Sequence, residues 1–300
     1  MSNFMFCMRS STVITPLWYL KFKMLLRAPR VHHVKRVRSS STDAWEAAKA
    51  VRAMELWRSK GRCVRCWLPQ ASCMCQALAR LATTTRCVDV AVVMHHKEYG
   101  KAKNTARLLP IVLPDAATIV VHRAEPLPPQ RPGSAQLLLF PGEGSEPAAD
   151  WRAWVSQQRE RVTLLVVDGT WSQVRAVARS ITDVPRIHVS DVADQSLVDN
   201  RRQPRLGAVS TLEAVALALR ELGEVHAEAP LVQALRHSLR VQDELMASRH
   251  SAAYLALKRA KHQRQRTELL ERRTRHGGVP GLTREADVEG DSVGTKSGEK

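Results

Sequence analysis

The sequence predicts an α/β domain with a mostly parallel sheet, and three observations support this fold class. Several short runs are rich in Val, Leu and Ile and have the length of strands that are buried on both faces. Segments with apolar residues at helical spacing lie between several of these runs. Turn residues or polar residues follow the runs directly. Strands that alternate with helices are typical of a domain with a parallel sheet.

The predicted elements begin with a helical pattern from Asp43 through Trp57, which leads into a cluster of cysteines. Five strands follow, over residues 87–94, 118–122, 136–140, 162–167 and 186–189. Helices are predicted over residues 102–109, 172–180, 211–222 and about 229–257. The helix from residue 211 has Ser210 or Thr211 as its N-cap and Glu213 in its first turn, where a carboxylate complements the helix dipole.

The charge balance of the chain is strongly basic. Its 300 residues include 46 Lys and Arg against 29 Asp and Glu, a formal net charge of +17. Such a balance favours polyanionic partners, nucleic acid first and an anionic membrane second, unless the charge lies in tails that aid solubility or targeting. No run reaches the roughly 18 consecutive apolar residues of a membrane-spanning helix, so we expect no membrane span.

Both ends of the chain differ in composition from the core, which we place at residues 43–257. Residues 1–42 lack Asp and Glu and are rich in Arg and Ser, which resembles the transit peptide of a mitochondrion or another organelle. The alternative is a disordered basic arm on a nuclear or cytoplasmic protein. Residues 258–300 are predicted to be a tail that is first basic and then Gly-rich, polar and disordered.

Four of the six cysteines lie within thirteen positions, in the pattern C-x2-C-x6-C-x-C. They are Cys63, Cys66, Cys73 and Cys75. Six cysteines in 300 residues are too few for a disulfide scaffold, so the cluster indicates a metal site. Four soft thiolates are typical of tetrahedral Zn²⁺, with an iron–sulfur cluster as the alternative. Because the cluster has no evident His or water position, we predict a closed structural site, a zinc knuckle over residues 63–75.

A carboxylate, Asp168, ends the predicted strand at 162–167, and Gly169, Thr170 and Trp171 follow it. Ligands bind just outside the carboxyl ends of strands in open α/β sheets, so this position suits catalysis. The alternative is that Asp168 only caps the next helix, since Asp and Thr are both ordinary N-cap residues.

A polar set follows the first predicted strand: His95, Glu98, Asn104, Thr105 and Arg107. As a group, these side chains are suited to a polar ligand or a phosphate, although each alone is an ordinary solvated loop residue.

Two further loops carry ligand-binding character. The Gly-rich loop at residues 140–145 lets the backbone approach a ligand closely, but it matches neither a Walker loop nor a dinucleotide fingerprint, which argues against ATP and NAD. The run at residues 201–205 is basic and suits phosphate contacts, or else it is a solvated charge run.

Taken together, these motifs resemble the DTW-domain family, the tRNA-uridine aminocarboxypropyltransferases. The resemblance covers about residues 60–222, and its motifs are specific as an ordered series. In chain order they are Cys63-x2-Cys66-x2-Pro69-x3-Cys73-x-Cys75, His95-x2-Glu98, Asn104-Thr105-x-Arg107-Leu108-Leu109, Leu139-Phe140-Pro141, Asp168-Gly169-Thr170-Trp171-Ser172-Gln173, Arg201-Arg202-Gln203-Pro204 and Ser210-Thr211-x-Glu213-Ala214.

The resemblance implies a SPOUT-like α/β domain with a C-terminal knot, preceded by the zinc knuckle and followed by a C-terminal helix, with residues 43–257 as the DTW catalytic domain. It implies transfer of the 3-amino-3-carboxypropyl group of S-adenosylmethionine to N3 of a uridine in tRNA, with release of methylthioadenosine, a reaction of the EC 2.5.1.25 type. One alternative is an RNA methyltransferase of the same broad fold. Another is a zinc-dependent RNA-binding module without catalysis.

The family's Asp-x-Thr-Trp motif falls on Asp168, Thr170 and Trp171. Uridine N3 must lose a proton before it attacks, so we assign the role of general base to Asp168. Trp171 is suited to stacking on a base or adenine, or else it belongs to the core. The predicted S-adenosylmethionine site consists of Phe140, Pro141, Gly142, Thr170, Trp171, Ser210 and Thr211. The predicted RNA contacts are His95, Arg107, Arg201 and Arg202.

Overall fold

A computed structural model of the chain describes residues 41–123, 134–190 and 209–275. Its strands are β1 (Val88–Met94), β2 (Ala117–Val121), β3 (Gln136–Leu139), β4 (Glu146–Pro147), β5 (Val162–Asp168) and β6 (Arg186–His188). They form one sheet in the order β2-β1-β5-β3-β6-β4, and every neighbouring pair is parallel. The predicted α/β fold with a parallel sheet is therefore confirmed.

The two central strands, β1 and β5, show why the sheet forms here. Each has seven residues, mostly Val and Leu, and only the second residue of each is not fully buried. A parallel strand covered on both faces has no solvent-facing side, so its sequence is a nearly continuous apolar run. The register pairs Met94 with Asp168, so the two strands end side by side.

The helices are α1 (Ser41–Glu55), α2 (Cys75–Ala79), α3 (Leu109–Val112), α4 (Arg152–Ser156), α5 (Trp171–Ser180), α6 (Thr211–Glu221), α7 (Val225–Ala247) and α8 (Ala252–Arg275). On one face of the sheet, Val177 and Ala178 of α5 pack against Leu138 and Leu165 of the strands. Helix α6 contacts β5 and packs along α7. The hydrophobic core thus lies between the sheet and the helices that pack on it.

Two predicted helices differ from the structure. The segment at residues 102–109 has a short 3₁₀ turn at Ala106–Leu108, and α3 begins only at Leu109. The helix predicted over 229–257 is two helices, because α7 begins earlier, with Pro230 inside it, and ends at Ala247. A new helix then begins directly after Ser251, whose hydroxyl accepts the Tyr254 N–H at 3.3 Å.

Helix α8 runs through the first part of the predicted basic tail, as far as Arg275. The rest of that tail and the basic segment at residues 1–40 lie outside the described residues. Of the helices that the structure describes, none has the length and apolar content that crossing a membrane requires.

Candidate active site and metal centre

Asp168 is the last residue of β5, and its side chain is buried, with a relative exposure of 5%. Asn104 Nδ2 donates to Oδ2 at 2.5 Å, and Thr211 Oγ1 donates to Oδ1 at 2.5 Å. The backbone N–H of His95 donates to the Asp168 carbonyl oxygen at 2.9 Å. Asp168 therefore joins three segments that are distant in sequence: the loop after β1, the end of β5 and the start of α6.

The N-cap of α5 is Thr170 rather than Asp168. Thr170 forms a capping box with Gln173, whose Oε1 accepts the Thr170 N–H at 2.8 Å. A Cβ atom on Gly169 would lie 3.1 Å from Gln173 Oε1 and 3.4 Å from His95 Cβ, so the absence of a side chain at this position allows the close packing. Because the cap is supplied by Thr170, the Asp168 carboxylate is used for contacts between loops.

Of the residues predicted to bind S-adenosylmethionine, Ser210 and Thr211 lie at the start of α6. Ser210 is the N-cap, and its backbone N–H donates to the Glu213 carboxylate at 2.7 Å in a capping box. Its hydroxyl accepts the Glu213 N–H at 3.4 Å. Thr211 instead points its hydroxyl at Asp168. The structure thus brings Thr211 to the carboxylate and uses Ser210 to begin the helix.

The loop after β3 lies at the same edge of the sheet as Asp168, because the carboxyl ends of parallel strands all lie at one edge. Phe140 is half-buried, while Pro141 and Gly142 are exposed. Ser145 Oγ donates to the Gly142 carbonyl oxygen at 2.7 Å and lies 3.0 Å from His188 Nδ1 at the end of β6. This hydrogen bonding holds the loop in a turn whose outer side faces solvent.

Thr170 and Trp171, the two remaining predicted cofactor residues, follow Asp168 directly. Thr170 is exposed and Trp171 is half-buried. Accessible surface on both residues beside a buried carboxylate is compatible with a ligand at this edge of the sheet.

His95 lies at the same edge, one residue beyond β1. Burial, together with the charges of His96 and His122, lowers the pKa of His95 to about 4. Its Nδ1 accepts the Lys97 N–H at 3.2 Å, and its ring stacks on that of His96 with centroids 4.4 Å apart. His95 is therefore neutral at neutral pH and is suited to hydrogen bonding rather than to charge pairing with a phosphate.

Arg107 is placed inside the protein and not at an RNA-facing surface. Its relative exposure is 1%, and its Nε and Nη2 donate to the Ala102 carbonyl oxygen at 3.1 and 2.8 Å. Nη2 also donates to Ser238 Oγ at 3.2 Å. A guanidinium this deeply buried does not reach an RNA phosphate, so the prediction of an RNA contact is corrected for Arg107.

The polar set after β1 thus divides into separate roles. Asn104 contacts Asp168, and Glu98 pairs with Lys101 at 2.8 Å. Thr105 Oγ1 accepts the Leu212 N–H at 3.5 Å, which links this loop to α6. The remaining predicted RNA contacts, Arg201 and Arg202, lie outside the described residues.

The four cysteines of the cluster come together in the fold. Their sulfur atoms all lie within 4.8 Å of one another, with Cys63 and Cys75 3.6 Å apart and Cys66 and Cys73 3.8 Å apart. Zinc–sulfur bonds of about 2.3 Å in a tetrahedron place sulfurs about 3.8 Å apart. The described residues contain no His or carboxylate in this group. The donor set and its spacing fit a closed zinc site with four thiolate ligands.

Ionisation of all four cysteines would require a cation beside them, because each thiolate affects the pKa of its neighbours. Hydrogen bonding from Cys75 lowers the pKa of Cys66 to about 4, while hydrogen bonding with Cys66 raises the pKa of Cys75. Burial raises the pKa of Cys73. Like charges this close cannot all be stable without a counter-charge. Burial lowers the pKa of Arg107 to about 10, and the charges of Cys66, Cys75 and Cys63 act in the opposite direction.

Contacts around Trp57 hold the cysteine loop against the loop that carries Asn104. The Arg62 guanidinium lies over the Trp57 ring at 4.2 Å and donates to the Trp67 carbonyl oxygen at 2.7 Å. Gly100 has φ +85°, and a Cβ atom there would lie only 2.0 Å from the Trp57 ring. The cysteine cluster and the candidate active site are thus connected through adjacent loops.

His122 and His188 were missed by the sequence analysis. His122 follows β2 and contributes to the electrostatic surroundings of His95, while His188 contacts Ser145. His122 directly follows β2, a short apolar strand, which is the kind of signal that led to Asp168. Strand β6 has a single apolar residue, Ile187, and gives no such signal for His188.

A family model described as "DTW domain" matches residues 60–243. A curated relative, tRNA-uridine aminocarboxypropyltransferase 2 of Drosophila melanogaster, is 27% identical over 188 residues, which are 59% of this chain and 72% of the relative. Among solved structures, the SAM-dependent rRNA:acp-transferase Tsr3 from Vulcanisaeta distributa superposes with a TM-score of 0.34 at 17% identity, covering 63% of this chain and 89% of that one.

Proposed function

The chain belongs to the DTW-domain family, and on that premise we propose that it transfers the 3-amino-3-carboxypropyl group of S-adenosylmethionine to N3 of a uridine in tRNA. The curated relative carries the name of a tRNA-uridine aminocarboxypropyltransferase. A net charge of +17 agrees with a nucleic-acid substrate.

The observation that carries the proposal is the convergence on Asp168. Asn104, Asp168 and Thr211 lie in three of the sequence motifs on which the family resemblance rests, and they are joined by two hydrogen bonds of 2.5 Å. They meet at the carboxyl edge of a parallel sheet, where ligands bind in open α/β folds. Motifs that are separate in sequence therefore supply one site.

The reaction requires removal of a proton and departure of a thioether. S-adenosylmethionine supplies the transferred group and a sulfonium leaving group. Uridine N3 gives up its proton to a base and forms a bond to the terminal carbon of the aminocarboxypropyl group. The carbon–sulfur bond breaks with its electron pair on sulfur, which leaves neutral methylthioadenosine.

In this proposal Asp168 is the base. The donors Asn104 Nδ2 and Thr211 Oγ1 fix the direction of the carboxylate and stabilise its ionised form. A side chain that is 5% exposed meets little bulk water, so proton transfer depends on the position of the bound uridine.

The S-adenosylmethionine site is proposed at the loops that surround this carboxylate. The exposed turn at Pro141 and Gly142 offers backbone close to the ligand, and Phe140, Thr170 and Trp171 offer apolar, hydroxyl and aromatic contacts. Ser210 and Thr211 complete the set at the start of α6. The C-terminal knot that the family resemblance implies remains part of this proposal.

We also propose that the cysteine cluster holds a structural Zn²⁺. The ion would compensate the thiolates and hold the loop at residues 63–75, which packs on the loop carrying Asn104 through Trp57 and Gly100. In this proposal the ion has no part in the transfer reaction.

Mass spectrometry of tRNA nucleosides from cells with and without the protein tests the proposed reaction. We expect 3-(3-amino-3-carboxypropyl)uridine to be absent when the protein is absent and to return with the wild-type gene. Loss of a methylated nucleoside instead would favour the methyltransferase alternative. An unchanged nucleoside profile would favour the RNA-binding module.

A further inference from the structure

A groove with three arginines lies between α7 and the segment formed by the end of α2 and the residues just after it, apart from the residues assigned to the reaction. Its volume is about 670 Å³. Arg80 follows α2, and Arg236 and Arg240 lie four residues apart on one side of α7. All three side chains are exposed. We call this surface the arginine groove.

The arginine groove carries positive charge and no negative charge. No carboxylate is among its lining residues, which also include Gln233 and His237. Within the described part of the chain, no acidic side chain pairs with Arg80, Arg236 or Arg240, and Arg240 Nη2 hydrogen-bonds to His237 Nδ1 at 3.3 Å. Three guanidinium groups without acidic partners repel one another unless an anion lies between them.

The floor of the arginine groove is apolar. It is lined by the half-buried side chains of Ala77, Leu81 and Leu239. Phosphates suit the guanidinium groups, and the less polar face of a ribose suits the floor. A sugar–phosphate backbone combines both features, whereas a free phosphate makes no use of the floor.

A short series of contacts connects the groove to the candidate active site. Ser238 lies between Arg236 and Arg240 in sequence but faces inward, where it accepts from Arg107 at 3.2 Å. The Arg107 backbone N–H donates to Asn104 Oδ1 at 3.3 Å, and Asn104 contacts Asp168. The groove is therefore separated from the site by one helix and one loop.

We propose that the arginine groove binds the sugar–phosphate backbone of the RNA substrate at nucleotides outside the one that is modified. This inference rests on the proposed function for the identity of the RNA. The arginine groove is distinct in sequence from the basic run at residues 201–205, and phosphate contacts of this kind fix the position of an RNA on the protein.

The test compares two double variants that remove the same charge. Arg236→Gln with Arg240→Gln changes the groove, whereas Arg86→Gln with Arg159→Gln changes two exposed arginines near the amino ends of β1 and β5, at the opposite edge of the sheet. Binding of the full-length protein to total tRNA is measured across salt concentrations without S-adenosylmethionine. A failure of the transfer reaction therefore does not affect the result.

We expect the groove variant to bind tRNA at least roughly tenfold more weakly at 0.1 M salt, with a log–log salt slope smaller by about 1.4 to 1.8. The control variant should stay close to wild type. The variant with Arg236→Lys and Arg240→Lys should keep most of the slope, because charge rather than shape sets it.

Equal weakening in both Gln variants, or unchanged tRNA binding in the groove variant, would overturn the proposal. Polyglutamate binding that is lost in the groove variant while tRNA binding is kept would assign the groove to an acidic protein partner instead. Thermal unfolding of each variant identifies any that fail to fold. If the Gln variant fails to fold, Arg80→Gln is compared with Arg86→Gln, with a slope change of about half the size expected.

Discussion

Asn104 and Asp168 are 64 residues apart in the chain, and Asn104 Nδ2 donates a 2.5 Å hydrogen bond to Asp168 Oδ2. The bond joins the loop after β1 to the end of β5, two strands that lie side by side. Both side chains are buried. The pair therefore contributes to the architecture of the site and also places the carboxylate that we assign as the base.

Exchange of the two side chains separates these roles. Asp168→Asn replaces one carboxylate oxygen by an amide NH2 group, which then faces a donor, Asn104 Nδ2 or Thr211 Oγ1, instead of accepting from it. We expect the free energy of unfolding to fall by about 1–3 kcal/mol. We also expect the transfer rate to fall by about 100-fold or more. The double variant Asp168→Asn with Asn104→Asp restores a donor–acceptor pair but moves the carboxylate to the other loop.

Denaturant unfolding and single-turnover transfer assays measure the two effects. Compared with Asp168→Asn, the double variant should recover much of the lost free energy of unfolding but little of the lost transfer rate. Recovery of both would mean that Asp168 acts only by positioning the loops.

Removal of one cysteine from the cluster should release the metal. For Cys63→Ser we expect zinc content to fall well below one per chain. We also expect the melting temperature to fall by about 10 °C or more, since a structural ion contributes several kcal/mol and each kcal/mol corresponds to about 2–4 °C at this size. Elemental analysis and calorimetry measure these changes.

Cys87→Ser is the matched control, because Cys87 is a free cysteine outside the cluster. Wild-type protein that is purified under reducing conditions and contains neither zinc nor iron would contradict the metal site.

The stability of the protein should depend on His95 in mildly acidic solution. The pKa of His95 is lowered to about 4 in the folded protein, mainly by burial, against an ordinary value of about 6.5. Between these values the unfolded chain binds more protons, so His95 makes folding less favourable as pH falls from 6.5 toward 4. His95→Gln should therefore lose less stability than wild type over this range.

Chemical unfolding at pH 4.5, 5.5 and 6.5 provides the measurement, with the exposed His250→Gln as the control. Part of the pH dependence should remain in His95→Gln, because burial also lowers the pKa of His122. Identical pH profiles for wild type and His95→Gln would show that His95 titrates normally.

Replacement of Arg107 should affect folding and not RNA binding. Arg107→Met leaves the Ala102 carbonyl oxygen without its guanidinium donors and removes one of the two donors to Ser238 Oγ, which keeps Gln242 Nε2. This should cost about 1–3 kcal/mol of stability. The salt slope of tRNA binding should equal that of wild type, because a residue with 1% exposure contacts no phosphate. A salt slope that is smaller by the amount expected for one phosphate contact would show that Arg107 contacts the RNA.

The sequence predicted the α/β class, the parallel sheet and the position of Asp168 at the end of a strand. A strand buried on both faces is a continuous apolar run, and the polar residue that ends it, such as Asp168, is placed at the ligand-binding edge. That the four cysteines come together was predicted because they are close in sequence. These features depend on local pattern alone.

The roles of individual polar residues depended on contacts that no local pattern contains. Arg107 appeared to be a surface arginine because arginine is rarely buried, and its burial depends on Ala102 and on Ser238 of α7. The identity of the N-cap of α5 depended on which residue, Thr170 or Asp168, forms the capping box with Gln173. The arginine groove was missed because Arg80 and Arg236 are adjacent only after folding.

The by-product of the reaction tests the central claim most directly. Purified protein is incubated with S-adenosylmethionine and tRNA from cells that lack the protein, and the nucleoside products and small molecules are separated by chromatography with mass spectrometry. We predict methylthioadenosine in equal amount to a uridine that carries the 3-amino-3-carboxypropyl group. S-adenosylhomocysteine together with a methylated nucleoside would contradict the proposed function.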